Sequence, residues 1–216
     1  SVPKIALNID STILTFLCSK EFIIKCNNSI SFSHQSIYDY YTVKKMVIEY
    51  CNGTEIIEHL GPKDIQTPIV RYQLQMFLDE LYYFDILKFK DAIDYVINCK
   101  DIRSYIKYVA YEVLGLVPEL DTNLEHFILE YIEKEIYIEN FINDVFMGHV
   151  VFINLLIKNK IFDSWFKDLD KRNIVITLIR SVNDSLSNEI VEFIKSNLFI
   201  NKETDLLMYQ CFPYDI

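Results

Sequence analysis

The stretch "VIEYCNGTEIIEHL", residues 47–60, sets Asn52-Gly53 between two runs in which apolar and polar residues alternate. Asn-Gly supplies the two φ > 0 residues that a type I′ turn demands, so this stretch predicts a β-hairpin. Upstream, "KIALNI" (4–9), "ILTFLC" (13–18), "EFIIKC" (21–26) and "SISF" (29–32) are short β-rich runs separated by polar pairs. With the hairpin they make an antiparallel sheet of about five or six strands. Residues 36–46 fit helical and strand periods equally over part of their length.

"GPKDIQTP" (61–68) carries two prolines and a glycine, which suit the interior of neither a strand nor a helix, and it marks the expected internal boundary. From there the period becomes 3.6. Val70, Leu74, Phe77, Leu78, Leu81 and Phe84 line one face of a first helix, and a second follows around 86–98. A third has Ile102, Ile106, Val109 and Val113 on one side, with Gly115 at the left-handed position that ends it and Pro118 beyond. "TNLE" opens the next with Thr122 and Glu125 at capping-box spacing, ahead of the stripe Leu124, Phe127, Ile128, Tyr131 and Ile132.

The segment "IENFINDVFMGHVVFINLLIKNKIF" (138–162) is apolar on more than one face from Phe141 to Leu156, as the central helix of a bundle is. Helices near 171–186 and 188–198 complete about seven. The expected architecture is α+β, with a β-rich module over 1–68, an all-α bundle over 69–200 and an extended tail over 201–216.

A chain of 216 residues that is 51% hydrophobic can bury a real core, while four glycines are too few for phosphate-cradling loops. The net charge of −10 repels nucleic acid and anionic lipid. The imbalance is uneven, since residues 1–70 carry 6 basic and 7 acidic groups and residues 71–216 carry 15 and 24. Five cysteines without C-x-x-C spacing suit reduced thiols in a cytosol, and the sequons at Asn27, Asn52 and Asn183 are what an Asn-rich chain generates by chance. No signal-like segment is present, and "VVFINLLI" (150–157), the longest charge-free apolar run, falls short of the ~18 residues of a membrane span.

No two of His34, His59, His126 and His149 have metal-ligand spacing on one helix face, and no signature marks a nucleophilic Ser or Cys. "DLD" (168–170) and "EYIEKE" (130–135) read as hydrated helix faces. Neither catalysis nor a cofactor is expected, so function must come from surfaces. Gly148-His149, inside the expected central helix, is the odd choice: a mid-helix glycine costs about 1 kcal/mol and allows close approach of a neighbouring helix or of a partner.

"NFINDVFMGHVVFI" resembles the first homology motif of the Bcl-2 family, a bulky residue, a glycine and an arginine in succession, with Met147, Gly148 and His149 in those places and Phe141 upstream. Residues 162–199, with Trp165, look like the closing helices of the poxvirus Bcl-2-like proteins, and the Ile-, Asn- and Lys-rich composition agrees with an AT-rich genome. The β-rich start is similar to that of the vaccinia antagonists of Toll/interleukin-receptor adaptor signalling. The resemblance implies a virulence factor in the host cytoplasm that binds host signalling or adaptor proteins, suppresses NF-kappa-B activation and evades immunity. It implies a partner surface at Phe141, Met147, Gly148, His149 and Phe152, and homo-oligomer formation, as a homodimer, through a face that includes Tyr72 and Gln73, with "LYYF" (81–84) as further aromatic contact. His149 departs from the family arginine, which weakens a charge-assisted contact, and the chain shows no C-terminal anchor, so signalling antagonism is favoured over groove-type inhibition of apoptosis.

A second resemblance competes. "LDELYYFDILKFKDAIDYVINC" (78–99) is similar to the helix pair closing the BTB/POZ or Skp fold of cullin-ligase adaptors, in which a short "FDI"-like corner precedes an amphipathic helix. That fold interleaves helices with its strands, so an unbroken sheet before residue 61 would argue against it.

Overall fold

In the computed structural model, which describes residues 2–3, 10–27 and 29–197, the first third of the chain contains both strands and helices. β1 (Val2–Pro3) is followed by α1 (Ser11–Ser19), β2 (Ile23–Cys26), β3 (Ser29–Phe32), α2 (Gln35–Cys51) and α3 (Ile56–Leu60). The three strands form an antiparallel sheet in the order β1-β3-β2, with Ile23 opposite Phe32 and Cys26 opposite Ser29. "EFIIKC" and "SISF" are thus strands as expected, and "KIALNI" lies outside the described residues. "ILTFLC" is not a strand. Asp10-Ser11, read as a separator, is a helix start: the Thr12 N–H donates to the Asp10 carboxylate at 2.6 Å and α1 runs from there.

The hairpin expected over 47–60 is also absent, and the reason is one backbone angle. A type I′ turn needs φ > 0 at both central residues. Gly53 has φ +103°, but Asn52 sits at φ −86° and caps α2. The Gly53 N–H donates to the Tyr50 carbonyl and the Thr54 N–H to the Glu49 carbonyl, each at 3.0 Å. Those two bonds define a Schellman terminator, which consumes orphan carbonyls at the end of a helix. The side chains agree, since Val47 is 3% exposed and its neighbour Ile48 59%. Asp39, Val43, Met46 and Val47 form the buried stripe of a helix, which also settles residues 36–46. A capping box between Glu55 and Glu58 then starts α3, which buries Ile56 and Leu60.

Beyond the turn lie α4 (Pro68–Phe84), α5 (Ile86–Asn98) and α6 (Ser104–Gly115). Pro68 takes the first-turn place where a missing N–H costs nothing. The chain packs as two compact units, Ser1–Ala92 with Cys99–Ile106, and Ile93–Asn98 with the residues from Lys107 onward. "GPKDIQTP" lies inside the first unit, so the packing does not divide there. In that unit α2 packs on α4, where Leu74, Phe77, Leu78 and Leu81 have no exposed surface, each worth about 1.5–3 kcal/mol. Phe77 meets the edge of Tyr50 at 5.5 Å, and Lys44 pairs with Glu80. Phe84, placed by period on the buried face, ends the helix and is exposed.

In the second unit, α7 (Thr122–Ile132) buries its whole expected stripe, but its cap is one residue earlier than expected, with the Leu124 N–H donating to Asp121 at 2.8 Å. The expected single helix over 138–162 is three. α8 (Glu135–Asn140) runs into a π-helical turn over Phe141–Phe146, closed by the Met147 N–H on the Ile142 carbonyl. Met147 is extended, Gly148 stands at φ +82°, and α9 (Val150–Lys158) begins afresh after His149. Lys160 at φ 59° separates α9 from α10 (Ile161–Lys167). α11 (Arg172–Ser181) and α12 (Asn188–Asn197) follow, giving nine α-helices from Pro68 onward rather than about seven, and twelve among the described residues. The core expected around Phe141–Leu156 is real even though the rod is not: Phe141, Val145, Phe146, Phe152, Ile153 and Leu156 are fully buried.

Candidate interaction surface

α2 turns Tyr38, Tyr41 and Ile48 outward at helical spacing, opposite its buried stripe. Phe32, from β3, stacks on Tyr41 with ring centroids 6.1 Å apart and meets the edge of Tyr38 at 5.9 Å. Tyr40 meets Tyr41 at 5.4 Å, and the Lys44 ammonium lies 5.5 Å from the Tyr40 centroid. These exposed rings hold one another in place, so a partner would meet aromatic surface that has already given up its rotamer freedom.

A second aromatic surface of the same unit lies at the α4–α5 corner. Asp85 is the only residue between the two helices. Its N–H closes α4 on the Leu81 carbonyl at 2.8 Å, and its carboxylate accepts the Leu87 and Lys88 N–H groups, each at 3.1 Å, at the start of α5. One residue therefore satisfies both helix ends, and the chain turns too sharply to tuck its flanks inside. Tyr83 is left 79% exposed and Phe84 64%, with Leu87 beside them.

Tyr50, behind this corner, has its phenol pushed up to about 12, first by burial and then by Asp91. A folded value above the ordinary 10 means that the neutral phenol stabilises the fold fully below pH about 10 and ceases to as pH rises through about 12. Denaturant midpoints of the wild type and Tyr50→Phe, compared across pH 9–12, are expected to show an extra wild-type loss confined to the upper part of that range.

The residues singled out from the sequence are scattered in burial. Phe141 and Phe152 are wholly buried, Phe141 among Tyr111, Tyr131 and Phe146 at 5.5–5.8 Å, so as placed they build core and offer no partner surface. Met147 and His149 are half-buried and Gly148 is exposed. A Cβ at Gly148 would meet nothing within 4 Å, so the glycine serves its positive φ and not a close approach. Burial lowers the His149 pKa, taking it further from the positive charge of the family arginine. Tyr72 is exposed, whereas Gln73 donates to buried Asp39 at 3.0 Å. Of "LYYF", Tyr83 and Phe84 are outside, Phe84 against its place in the helical period, and Leu81 is fully buried. The Phe32–Tyr38–Tyr41 cluster was missed, and its signal was the i, i+3 spacing in "SIYDYY".

Among the described residues no three His, Cys, Asp or Glu side chains gather where they could hold a metal ion, and no helix is long and apolar enough to cross a membrane. Compared with protein-family models, curated proteins and solved structures, the chain matches none.

Proposed function

We propose that the first unit is a protein-recognition module of the BTB/Skp kind, an adaptor that docks a cullin-type scaffold, and that the chain acts by binding and not by catalysis. The observation that carries this reading is the order β1-α1-β2-β3-α2. An unbroken sheet before residue 61 was the feature that would have counted against it; instead α1 stands between β1 and β2, and α2 and α3 follow β3. The Asp85 corner supports it as well, because "FDI" joins α4 to an amphipathic α5 in the manner the resemblance implies.

Titration calorimetry of the chain against the N-terminal regions of a cullin panel tests the reading. At least one is expected to bind at micromolar affinity or tighter, and Phe84→Asp, at an exposed position, to weaken it by about tenfold or more with no loss of helix content. Absence of binding across the panel ends the proposal. The exposed Tyr72, Tyr83 and Phe84 also favour a second reading, suppression of NF-kappa-B signalling in a host cytoplasm by a self-associating antagonist. A reporter assay in stimulated cells separates the two, since inhibition without cullin binding is the result the second reading requires.

A further inference from the structure

In a chain of net charge −10, two lysines without an ion-pair partner among the described residues line one cavity of the second unit. The cavity, of about 530 Å³, lies between the end of α7, α8 and the junction of α9 with α10. Leu129, Ile132, Ile138 and Trp165 are among the apolar residues that line it. Lys160 and Lys171 line it as well, and neither has an ion-pair partner or side-chain acceptor among the described residues. Nearby lysines are used differently: Lys158 pairs with Glu125 and Lys134 with Glu130, each at 3.0 Å. Lys160 is also held in place, since its left-handed backbone closes α9 through the Ile157 carbonyl at 2.9 Å and accepts the Ser164 N–H of α10. One carboxylate, Glu133, shares the lining.

Apolar lining residues beside cations that are unpaired among the described residues complement a ligand that carries a large apolar group next to carboxylates. The volume admits one large side chain and its flanking backbone. Exposed Lys160 and Ser164 leave the mouth open for a chain to enter and leave. A fatty acid, with one carboxylate and a long tail, would use one cation and leave most of its tail in water.

We propose that this cavity is a docking site for a short acidic-apolar peptide segment of a partner protein, whose apolar side chain rests on Leu129, Ile132 and Trp165 while its carboxylates pair with Lys160 and Lys171. The site lies in the second unit and does not depend on the cullin reading.

Trp165 is the single tryptophan, so its emission reports on the cavity directly. The full chain is titrated with the blocked hexapeptide DELFED, its charge-reversed counterpart KRLFRK, and decanoate. DELFED is expected to give a saturable change with half-saturation on the order of 10–100 µM, as suits so small an interface. Lys160→Glu with Lys171→Glu is expected to weaken it about tenfold or more, and Glu133→Gln to tighten it about twofold, with far-UV circular dichroism unchanged. No saturable response to DELFED, binding that survives the double substitution, or an equal response to KRLFRK overturns the proposal. Decanoate binding in place of DELFED overturns the peptide assignment.

Discussion

Gly115→Ala is expected to lower the unfolding free energy by about 2–4 kcal/mol, although alanine is the better helix former by about 1 kcal/mol. Gly115 is the last residue of α6, and a Cβ built there lies 2.6 Å from the Asp144 carbonyl oxygen and 3.3 Å from the Val145 Cα. Both neighbours are backbone atoms of the π-helical turn, which cannot swing aside as a flexible side chain could. The turn must shift, and it carries Phe141, Val145 and Phe146, all fully buried. Gly148→Ala is the control. It meets open space and suffers only the strain of φ +82°, about 1 kcal/mol. Denaturant unfolding of both variants checks the order, and a Gly148 variant costing more than the Gly115 variant would refute the packing described for the second unit.

Gln66→Leu, nearly equal in volume, is expected to cost about 3 kcal/mol because it strands several polar groups at once. Gln66 is 1% exposed, in the middle of "GPKDIQTP". Its amide nitrogen donates to the Gly61 carbonyl at 3.0 Å and the Asp101 carbonyl at 2.9 Å, and its amide oxygen accepts the Arg103 N–H at 2.9 Å. Its own carbonyl accepts the Arg103 guanidinium at 3.1 Å and the Tyr105 hydroxyl at 2.7 Å. The turn is thereby bolted to residues 101–105 of the same unit. Trypsin is expected to cleave after Lys63 slowly in the wild type and faster in Gln66→Leu, because the turn is released from its partners. Equal cleavage rates would show that the bolt does not hold the turn.

These two positions also show what the sequence could and could not reveal. The glycines at 115 and 148 were assigned each other's role. Gly115 was read as a left-handed stop and is a close-contact residue; Gly148 was read as a close-contact residue and is a left-handed stop. Local sequence marks both simply as permissive, and which freedom is used depends on which backbone comes near. The amphipathic helices from Pro68 onward were legible because burial of one face fixes a 3.6 period, as Leu74, Phe77, Leu78 and Leu81 illustrate. The π turn was not, since Phe141, Val145 and Phe146 are apolar enough for either helix type. Asn52-Gly53 was ambiguous in kind, as the same pair serves a hairpin and a helix end, and only the long-range packing of Val43, Met46 and Val47 beneath α4 decides between them. Of the surfaces, the exposure of Phe84 was not legible from the helical period, because it depends on the sharp turn at Asp85, and the Phe32–Tyr41 stack depends on a strand meeting a helix.

The adaptor reading rests on a first unit whose sheet is interrupted and not continued to residue 60: α1 lies between β1 and β2, and α2 stands where the hairpin was expected. Backbone Cα chemical shifts of residues 35–53 in the full chain measure this directly. A continuous run of helical downfield shifts from Gln35 to Cys51, ending abruptly at Gly53, is the expected result. Upfield strand shifts on both sides of Asn52-Gly53, with cross-strand contacts between residues 47–51 and 54–58, would contradict it and restore the hairpin.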